Sequence, residues 1–348
     1  ALQKEQADLS FRERLARAAF QTTAVYEIAI ANWFADKIGD KSKWFGAFHQ
    51  GEELRYGENP HQKGYVYRAE PKIPGGFGHM IQHQGKPLSY NNYNDAGFAM
   101  EAIKEFPDRP TAVAVKHANP CGVACADSLL EAYAKCEAAD PDSIFGGIVC
   151  VNEPVDESVA TAMRQIFLEV IIAPGYTEEA LVVFSGKKNL RVLEVPDLME
   201  RAPDEPLVRT IPGGLLLQDK DNELLDELET VTQRAPGTHE MEDLQFAWKV
   251  AKIIKSNGVV IAKNEATLGI GLGEVNRYWA VKNAIERAED DNKGAVCASD
   301  AFFPFGDSVE ALAEAGITAV IQPGGSIKDQ ESIDAANRAN IAMVFTGM

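Results

Sequence analysis

The sequence predicts an α/β protein in which one helical segment is followed by two α/β halves. From Asp8 to about Lys41 the apolar residues recur at helical spacing, which predicts one long helix or two shorter ones. After Gly51 short apolar runs between turn residues alternate with helix-like segments, as in a layered α/β domain. A second such cycle begins near Arg209, after the acidic, proline-bearing stretch Glu194–Glu205. We therefore predict a helical segment over 1–50, a first α/β subdomain over 51–208 and a second over 209–348.

The individual elements follow from apolar runs and from amphipathic spacing. Strands are predicted at Tyr65–Tyr67, Thr111–Val115, Ile144–Val151, Glu169–Ala173, Gly214–Gln218, Val259–Ala262 and Leu268–Gly271. Helices are predicted at Asp95–Phe106, Ser128–Ala138, Asp156–Phe167, Met241–Lys255 and Asn276–Glu289, and strand–helix pairs continue to the end. Both halves hold a Gly-Gly pair beside a strand, which is weak support for an internal duplication.

Composition and charge exclude several classes of function. The net charge of -18, from 34 basic against 52 acidic residues, repels polyanions and argues against sequence-independent nucleic-acid binding. A small anionic ligand needs only a local cluster of donors and remains compatible with this charge. No apolar stretch is long enough to cross a bilayer and no signal-peptide pattern is present, so we expect a cytoplasmic protein. The five scattered cysteines predict free thiols rather than disulfides.

The strand predicted at Thr111–Val115 ends on two adjacent protonatable side chains, Lys116 and His117. Strands of α/β folds present reactive residues at their carboxyl ends, and Pro120 and Gly122 then turn the chain. A lysine beside a histidine is suited to proton transfer near a developing negative charge. The alternative is a strand that ends on two solvated polar residues.

Four further segments carry candidate ligand-binding groups, each with a structural alternative. The loop Arg55–Gln62 offers a guanidinium and a phenol for an anionic ligand, or is a polar turn. The aromatic run Ser299–Phe305 offers stacking faces, or is a core cluster. Pro323–Ser326 forms an anion cradle or an ordinary helix-capping turn, and Lys255–Asn257 places polar groups at a crevice edge or caps a helix.

The glycine run Gly269–Gly273 lacks the spacing of a dinucleotide or mononucleotide phosphate loop. Its glycines would let the backbone approach a different ligand, with Arg277 reaching in from the next helix.

A zinc site is also disfavoured. The run from His117 to Cys121 and Cys125 superficially resembles a zinc deaminase signature, but Asn119 replaces the proton-shuttling glutamate and the cysteine spacing is wrong.

Taken together, these segments resemble the transformylase region of the AICAR formyltransferase/IMP cyclohydrolase family of purine biosynthesis. The resemblance covers nearly the whole chain and runs in family order through LRYGENPHQ (54–62), KHANPCG (116–122), SIFGG (143–147), IIAPGY (171–176), KSNGVVIAK (255–263), residues 269–277, SDAFFPF (299–305) and PGGS (323–326). It implies two cytidine-deaminase-like α/β subdomains, with sheets and flanking helices, that use no zinc.

The resemblance also implies a reaction and its catalytic groups. A formyl group would pass from the co-substrate 10-formyltetrahydrofolate to the 5-amino group of AICAR (5-aminoimidazole-4-carboxamide ribonucleotide), giving formyl-AICAR and tetrahydrofolate. Because that amine is delocalised and poorly nucleophilic, a base must remove its proton while a cation stabilises the oxyanion. By resemblance His117 is the base and Lys116 the stabilising cation, and Asn257 assists orientation. No metal is expected to be required.

The family's binding roles transfer to matching positions of this sequence. AICAR is expected to contact Arg55, Tyr56, His117, Gly146, Glu169, Asn257, Arg277 and Phe302, and the folate to contact Tyr278, Asp307, Ser326 and Ile327. The family completes these pockets across a dimer interface, so the resemblance implies a homodimer.

Several departures from the family pattern affect the expected activity. The family's IMP cyclohydrolase domain is absent from this sequence, which begins at Ala1 within a helical region, so we expect a fragment that does not close the ring to IMP. The sequence stops at Met348, short of the family's arginine-bearing tail, and weaker nucleotide binding is expected. By resemblance, Glu169 stands where the family can have Asp, and Gly306 stands where the family commonly has Arg. These departures keep open a second hypothesis, a non-catalytic nucleotide-binding module.

Overall fold

The computed structural model describes residues 8–69, 72–202, 205–225 and 227–348. The chain divides into two compact units, one formed by residues up to Glu53 with Tyr65–Ile73, the other by Leu54–Gly64 with Pro74–Met348. No helix among the described residues is long and apolar enough to cross a membrane. The subdomain boundaries predicted from the sequence remain predictions.

The first unit contains one long helix and a hairpin. Helix α1 (Leu9–Ile38) begins where Asp8 accepts a hydrogen bond from the Phe11 N–H, and it ends at Gly39 in the left-handed conformation. The prediction of a helical N-terminal segment is therefore confirmed, as one helix rather than two. None of its residues is buried within the chain. Strands β1 (Phe48–Leu54) and β2 (Gly64–Ala69) pair only with each other.

The second unit is built on a large mixed sheet. Its first half contains β3 (Ile81–Gln84), α2 (Tyr90–Ile103), β4 (Thr111–Lys116), β5 (Asn119–Cys125), α3 (Leu129–Ala139), α4 (Pro141–Ile144), β6 (Ile148–Val151), α5 (Glu157–Met163), β7 (Val170–Ala173), α6 (Glu178–Ser185) and β8 (Arg191–Glu194). After the separate hairpin of β9 (Leu207–Ile211) and β10 (Gly214–Gln218) follow β11 (Glu229–Thr230), α7 (Thr238–Ile253), β12 (Val259–Lys263), β13 (Ala266–Gly271), α8 (Arg277–Ala288), β14 (Val296–Ser299), α9 (Asp307–Glu314), β15 (Ala319–Gln322), α10 (Asp329–Arg338) and β16 (Ala342–Phe345).

Twelve strands form one sheet in the order β11-β16-β15-β14-β12-β13-β5-β4-β6-β7-β8-β3. The two halves repeat the same arrangement: a helix, an antiparallel hairpin, a second helix, then three strands parallel to one another. They meet where Ala124 of β5 pairs with Ala266 of β13. Helices α2 and α7 cover one face over a core shared by both halves, and helices α3 to α6 and α8 to α10 pack on the other face. The predicted α/β class is confirmed.

The strand directions define an edge that we call the upper edge. Strands β4, β13, β14, β15 and β16 end there, whereas β5, β6, β7, β8 and β12 begin there. Ligands of α/β proteins bind outside the carboxyl ends of strands, and five such ends lie at this edge.

Some elements differ from the sequence-based prediction. Helix α2 begins five residues before Asp95, because Ser89 and Asn92 form a reciprocal capping box at its start. Helix α5 ends at Met163, and the short helix α4 occupies the start of the strand predicted at Ile144–Val151. The glycines 269 and 271 serve close packing rather than a ligand, because a Cβ at either position would overlap a carbonyl oxygen of α8.

Candidate active site

Lys116 and His117 lie at the upper edge, at the end of β4. Lys116 pairs with Asn119 of β5, so His117 and Ala118 are the two residues of a tight hairpin turn. Both have positive φ angles, 55° and 53°, as a type I′ turn requires. The Lys116 Nζ donates a hydrogen bond of 2.8 Å to the Phe145 carbonyl, and the His117 side chain is exposed. The two predicted catalytic residues are thus consecutive at this turn, and His117 is exposed rather than buried in the core.

A carboxylate from α2 holds this turn. Asp95 accepts the His117 N–H on one oxygen, at 3.1 Å, and the Ala118 N–H on the other, at 2.8 Å. A left-handed residue other than glycine costs about 1–2 kcal/mol, and hydrogen bonds to a charged acceptor offset a cost of that size. Burial raises the pKa of Asp95, the two backbone hydrogen bonds oppose that rise, and nearby Glu169 adds to it.

Gly146 and Glu169 lie beside this turn, just before β6 and β7, the next two strands of the sheet. Gly146 precedes β6, has a φ of 75° and donates its N–H to the Phe167 carbonyl at 2.7 Å. Glu169 precedes β7, accepts a 2.9 Å hydrogen bond from the Asn92 side chain and lies 3.7 Å from Arg191. The structure therefore brings Lys116, His117, Gly146 and Glu169 together, and we call them with Asp95 the lysine–histidine group.

The loop with Arg55 and Tyr56 is tied to the start of α2. The Asn91 side chain donates to the Glu58 carbonyl at 3.3 Å, and the Gly57 N–H donates to the Gln62 carbonyl at 2.7 Å. The Arg55 guanidinium is exposed and its carbon lies 5.5 Å from the centre of the Tyr56 ring. Both predicted binding residues are thus close together and accessible.

A second group lies at the upper edge before β12. The Asn257 side chain donates to the Glu274 carbonyl at 2.7 Å. The buried Arg277, first residue of α8, donates from Nη1 to the Gly258 carbonyl at 2.9 Å and to the Asp300 carboxylate. Asp300 also accepts the Gly258 N–H at 2.9 Å. We call Asn257, Arg277 and Asp300 the arginine group.

The aromatic run after β14 divides between core and surface. Phe303 is fully buried, whereas Phe302 and Phe305 are 41% and 50% exposed. The Lys328 ammonium lies 4.6 Å from the centre of the Phe305 ring, which brings the loop of Ser326 and Ile327 beside the aromatic run. The remaining predicted folate contacts lie at helix starts, Tyr278 in the first turn of α8 and the exposed Asp307 at the first residue of α9.

The two groups share an edge but stand apart within one chain. Asn257 precedes β12 and Lys116 ends β4, three strands away across β13 and β5. At about 4.8 Å per strand the separation is about 14 Å. The structure therefore places these predicted residues in two separate groups rather than in one contact network.

The cysteines are all free thiols, and burial raises the pKa of Cys121 to about 12 and the pKa of Cys125 as well. Thiolate is the metal-binding form, so these two positions are poor zinc ligands. Among the described residues no group of three or more His, Cys, Asp or Glu side chains has the geometry of a metal site.

Asp95 and Asn92 were not predicted from the sequence, and Asp300 was indicated there only as part of the aromatic run Ser299–Phe305. Each acts on residues far along the chain; the hydrogen bond from His117 to Asp95 spans 22 residues. Asp95 and Asn92 lie in a polar helical segment that is typical of a solvated surface. The internal repeat points to Asp95, because Asp243 of α7 makes the same contacts to the β12–β13 turn in the second half.

The α/β fold and the polar groups where its strands end at the upper edge are typical of an α/β enzyme. The family model described as AICARFT/IMPCHase bienzyme matches residues 1–287. Similar curated relatives are named "Bifunctional purine biosynthesis protein PurH": one from Caldicellulosiruptor saccharolyticus is 52% identical over 99% of this chain and 68% of its own length, and one from Acetivibrio thermocellus is 50% identical over 98% and 67%. A third, from Anoxybacillus flavithermus, is 49% identical over 98% and 67%. The chain belongs to the AICARFT/IMPCHase bienzyme family, and it is an enzyme of the AICAR formyltransferase type.

Proposed function

We propose that this chain transfers the formyl group of 10-formyltetrahydrofolate to the 5-amino group of AICAR, giving formyl-AICAR and tetrahydrofolate in purine biosynthesis. Family membership supports the type of reaction. The observation that carries the proposal is the tight turn that presents Lys116 and His117 side by side at the upper edge, next to Gly146 and Glu169.

The two side chains supply what the reaction needs. As the amine nitrogen bonds to the formyl carbon, His117 removes its proton and negative charge develops on the formyl oxygen. Lys116 stabilises that oxygen, since the ammonium has three donors and the bond to the Phe145 carbonyl uses one. Collapse of the intermediate breaks the bond from the formyl carbon to the folate nitrogen, which takes a proton as tetrahydrofolate leaves. This chemistry needs no metal, because Lys116 provides the cation.

The same proposal assigns the binding residues. Arg55, Tyr56, Gly146, Glu169, Asn257, Arg277 and Phe302 would hold AICAR, and Tyr278, Asp307, Ser326 and Ile327 would hold the folate. Arg277 donates hydrogen bonds from a single nitrogen, Nη1, to Asp300 and to the Gly258 carbonyl. The guanidinium is thereby oriented, which suits it to a phosphate or carboxamide ligand.

We also propose that the complete site forms in a homodimer. The lysine–histidine and arginine groups stand about 14 Å apart in one chain, so a second copy can bring the arginine group of one chain to the lysine–histidine group of the other. The separate β9–β10 hairpin supports association, because six of its aliphatic side chains are exposed, namely Leu207, Val208, Ile211, Leu215, Leu216 and Leu217.

The decisive experiment mixes the protein with AICAR and 10-formyltetrahydrofolate and follows tetrahydrofolate release. Lys116→Ala and His117→Ala should each lower kcat about a hundredfold or more without changing the unfolding midpoint. Lys263→Ala is the matched control: Lys263 ends β12 as Lys116 ends β4, and its Nζ donates a 2.8 Å bond to the Lys293 carbonyl.

Three results would contradict the proposal. Wild-type protein that releases no tetrahydrofolate, yet binds AICAR in a calorimeter, would favour the non-catalytic module. Equal losses of kcat in Lys116→Ala and Lys263→Ala would make the lysine a structural residue. Full activity in His117→Ala would remove the proposed base.

A further inference from the structure

The turn that carries His117 does not have the residues that its backbone favours. Two-residue turns with both φ angles positive strongly prefer asparagine, aspartate or glycine. Here the positions are His117 and Ala118, at 55° and 53°. A contact from outside the turn must therefore stabilise this conformation. The carboxylate of Asp95 supplies it, because its two oxygens accept hydrogen bonds from the N–H groups of His117 and Ala118.

The second half of the chain repeats this device. Asp243, the sixth residue of α7 as Asp95 is the sixth of α2, accepts the Asn264 N–H at 3.0 Å and the Glu265 N–H at 2.7 Å. Asn264 and Glu265 form the β12–β13 turn, and both have a φ of 53°. Lys263 precedes this turn as Lys116 precedes the first.

The second turn shows that this aspartate contact with the backbone occurs without an imidazole in the turn. The second turn has Asn264 where the first has His117, and it lies at the opposite edge of the sheet because β12 runs against β4. The carboxylate is nevertheless kept with the same geometry. Its common task in both halves is to fix the left-handed turn, and only in the first half does that turn carry an imidazole.

We propose that Asp95 is a positioning residue for formyl transfer, which fixes the His117–Ala118 turn so that the His117 imidazole and the Lys116 ammonium face the same reacting carbon. This inference rests on the proposed function. Asp95 acts through the two backbone N–H groups and needs no contact with substrate. Burial and the neighbouring Glu169 raise the pKa of Asp95, which agrees with a carboxylate packed beneath the turn rather than solvated.

The test compares Asp95→Asn with Asp243→Asn, which removes the same pair of contacts from the other turn. An asparagine side chain can accept only one of the two N–H groups and presents its own NH₂ to the other. Asp95→Asn should lower kcat about tenfold to a hundredfold, since misplacing a catalytic group by about 1 Å costs that much, and should change the KM for AICAR less. Asp243→Asn should leave kcat within about twofold, although both variants should lower the unfolding midpoint.

Two further measurements identify the cause. Amide hydrogen exchange should speed up at His117 and Ala118 in Asp95→Asn, and at Asn264 and Glu265 in Asp243→Asn. The double variant Asp95→Asn/Ala118→Gly should recover most of the lost kcat, because glycine adopts positive φ without the help of the carboxylate. If Asp95→Asn does not fold, the double variant and Asp95→Glu are measured in its place.

Equal losses of kcat in Asp95→Asn and Asp243→Asn would overturn the proposal, as would unchanged kcat in Asp95→Asn or a double variant that folds but recovers nothing. Each of these results assumes an active wild-type protein. Absence of formyl transfer by the wild type, or full activity in His117→Ala, would overturn the proposed function itself, so the two failures are distinguishable.

Discussion

Phe302 and Phe303 are consecutive residues that the fold places in different environments. Phe303 is fully buried, whereas Phe302 is 41% exposed. Phe303→Ala should lower the free energy of unfolding by about 3–5 kcal/mol, because it leaves a cavity in the core. Phe302→Ala should change that free energy by less than about 0.5 kcal/mol and raise the KM for AICAR. Chemical denaturation and steady-state kinetics measure both quantities, and equal destabilisation by the two changes would contradict the assignment.

At the residue scale, the positions of two predicted catalytic residues agree with the structure, and their chemical roles stay predictions. Sequence analysis singled out Lys116 and His117 because a strand ended on them, and the structure places both at the end of β4. The sequence left two alternatives for the aromatic run, a core cluster or a ligand platform; Phe303 is a core residue, and the role of the exposed Phe302 in ligand binding stays a prediction. Sequence analysis missed Asp95, because a hydrogen bond across 22 residues leaves no periodic signal in the sequence.

The contact between α8 and β13 depends on two glycines. A Cβ at Gly271 would overlap the Ala280 carbonyl oxygen, so Gly271→Ala should displace α8 and lower the free energy of unfolding by about 1–3 kcal/mol. Because α8 begins at Arg277, the KM for AICAR should rise as well. Gly214→Ala is the control, since its nearest neighbour is an Ile211 side-chain carbon at 3.9 Å. Unaltered stability and KM in Gly271→Ala would contradict this account.

At the element scale, local patterns predicted the elements but not their partners. Apolar runs identified the strands at Thr111–Val115 and Val259–Ala262 almost to the residue, because a strand buried on both faces has a continuous apolar sequence. The strand at Gly214–Gln218 was also predicted, yet it pairs only with β9 and stays outside the large sheet. Pairing depends on contacts between distant segments, and a single sequence does not display them.

At the scale of the whole molecule, the two halves share one topology but divide the candidate chemistry. Each contains a hairpin whose turn is held by an aspartate and a Pro-Gly pair after its second parallel strand, at Pro174–Gly175 and Pro323–Gly324. The imidazole stands in the first half and the buried arginine in the second. The Gly-Gly pairs noted in the sequence are not equivalent in the two halves, because Gly146–Gly147 precedes β6 and Gly324–Gly325 follows β15.

This division leads to a test of the proposed homodimer by mixing two inactive variants. If each site combines the lysine–histidine group of one chain with the arginine group of the other, then His117→Ala and Arg277→Ala chains should complement each other. In a mixed dimer one of the two sites receives an intact His117 and an intact Arg277, and the other receives neither.

Equal mixing after dissociation and reassociation makes half of the dimers mixed, so about one quarter of the wild-type kcat should return. The double variant His117→Ala/Arg277→Ala, mixed with the wild type in the same way, is the control. Its mixed dimers have one intact residue at each site, so it should add no activity beyond that of the remaining wild-type dimers. If the single variants regain no activity although sedimentation shows mixed dimers, then one chain supplies both groups to each site. In that case a ligand must bridge the 14 Å between them, a separation of about three strands.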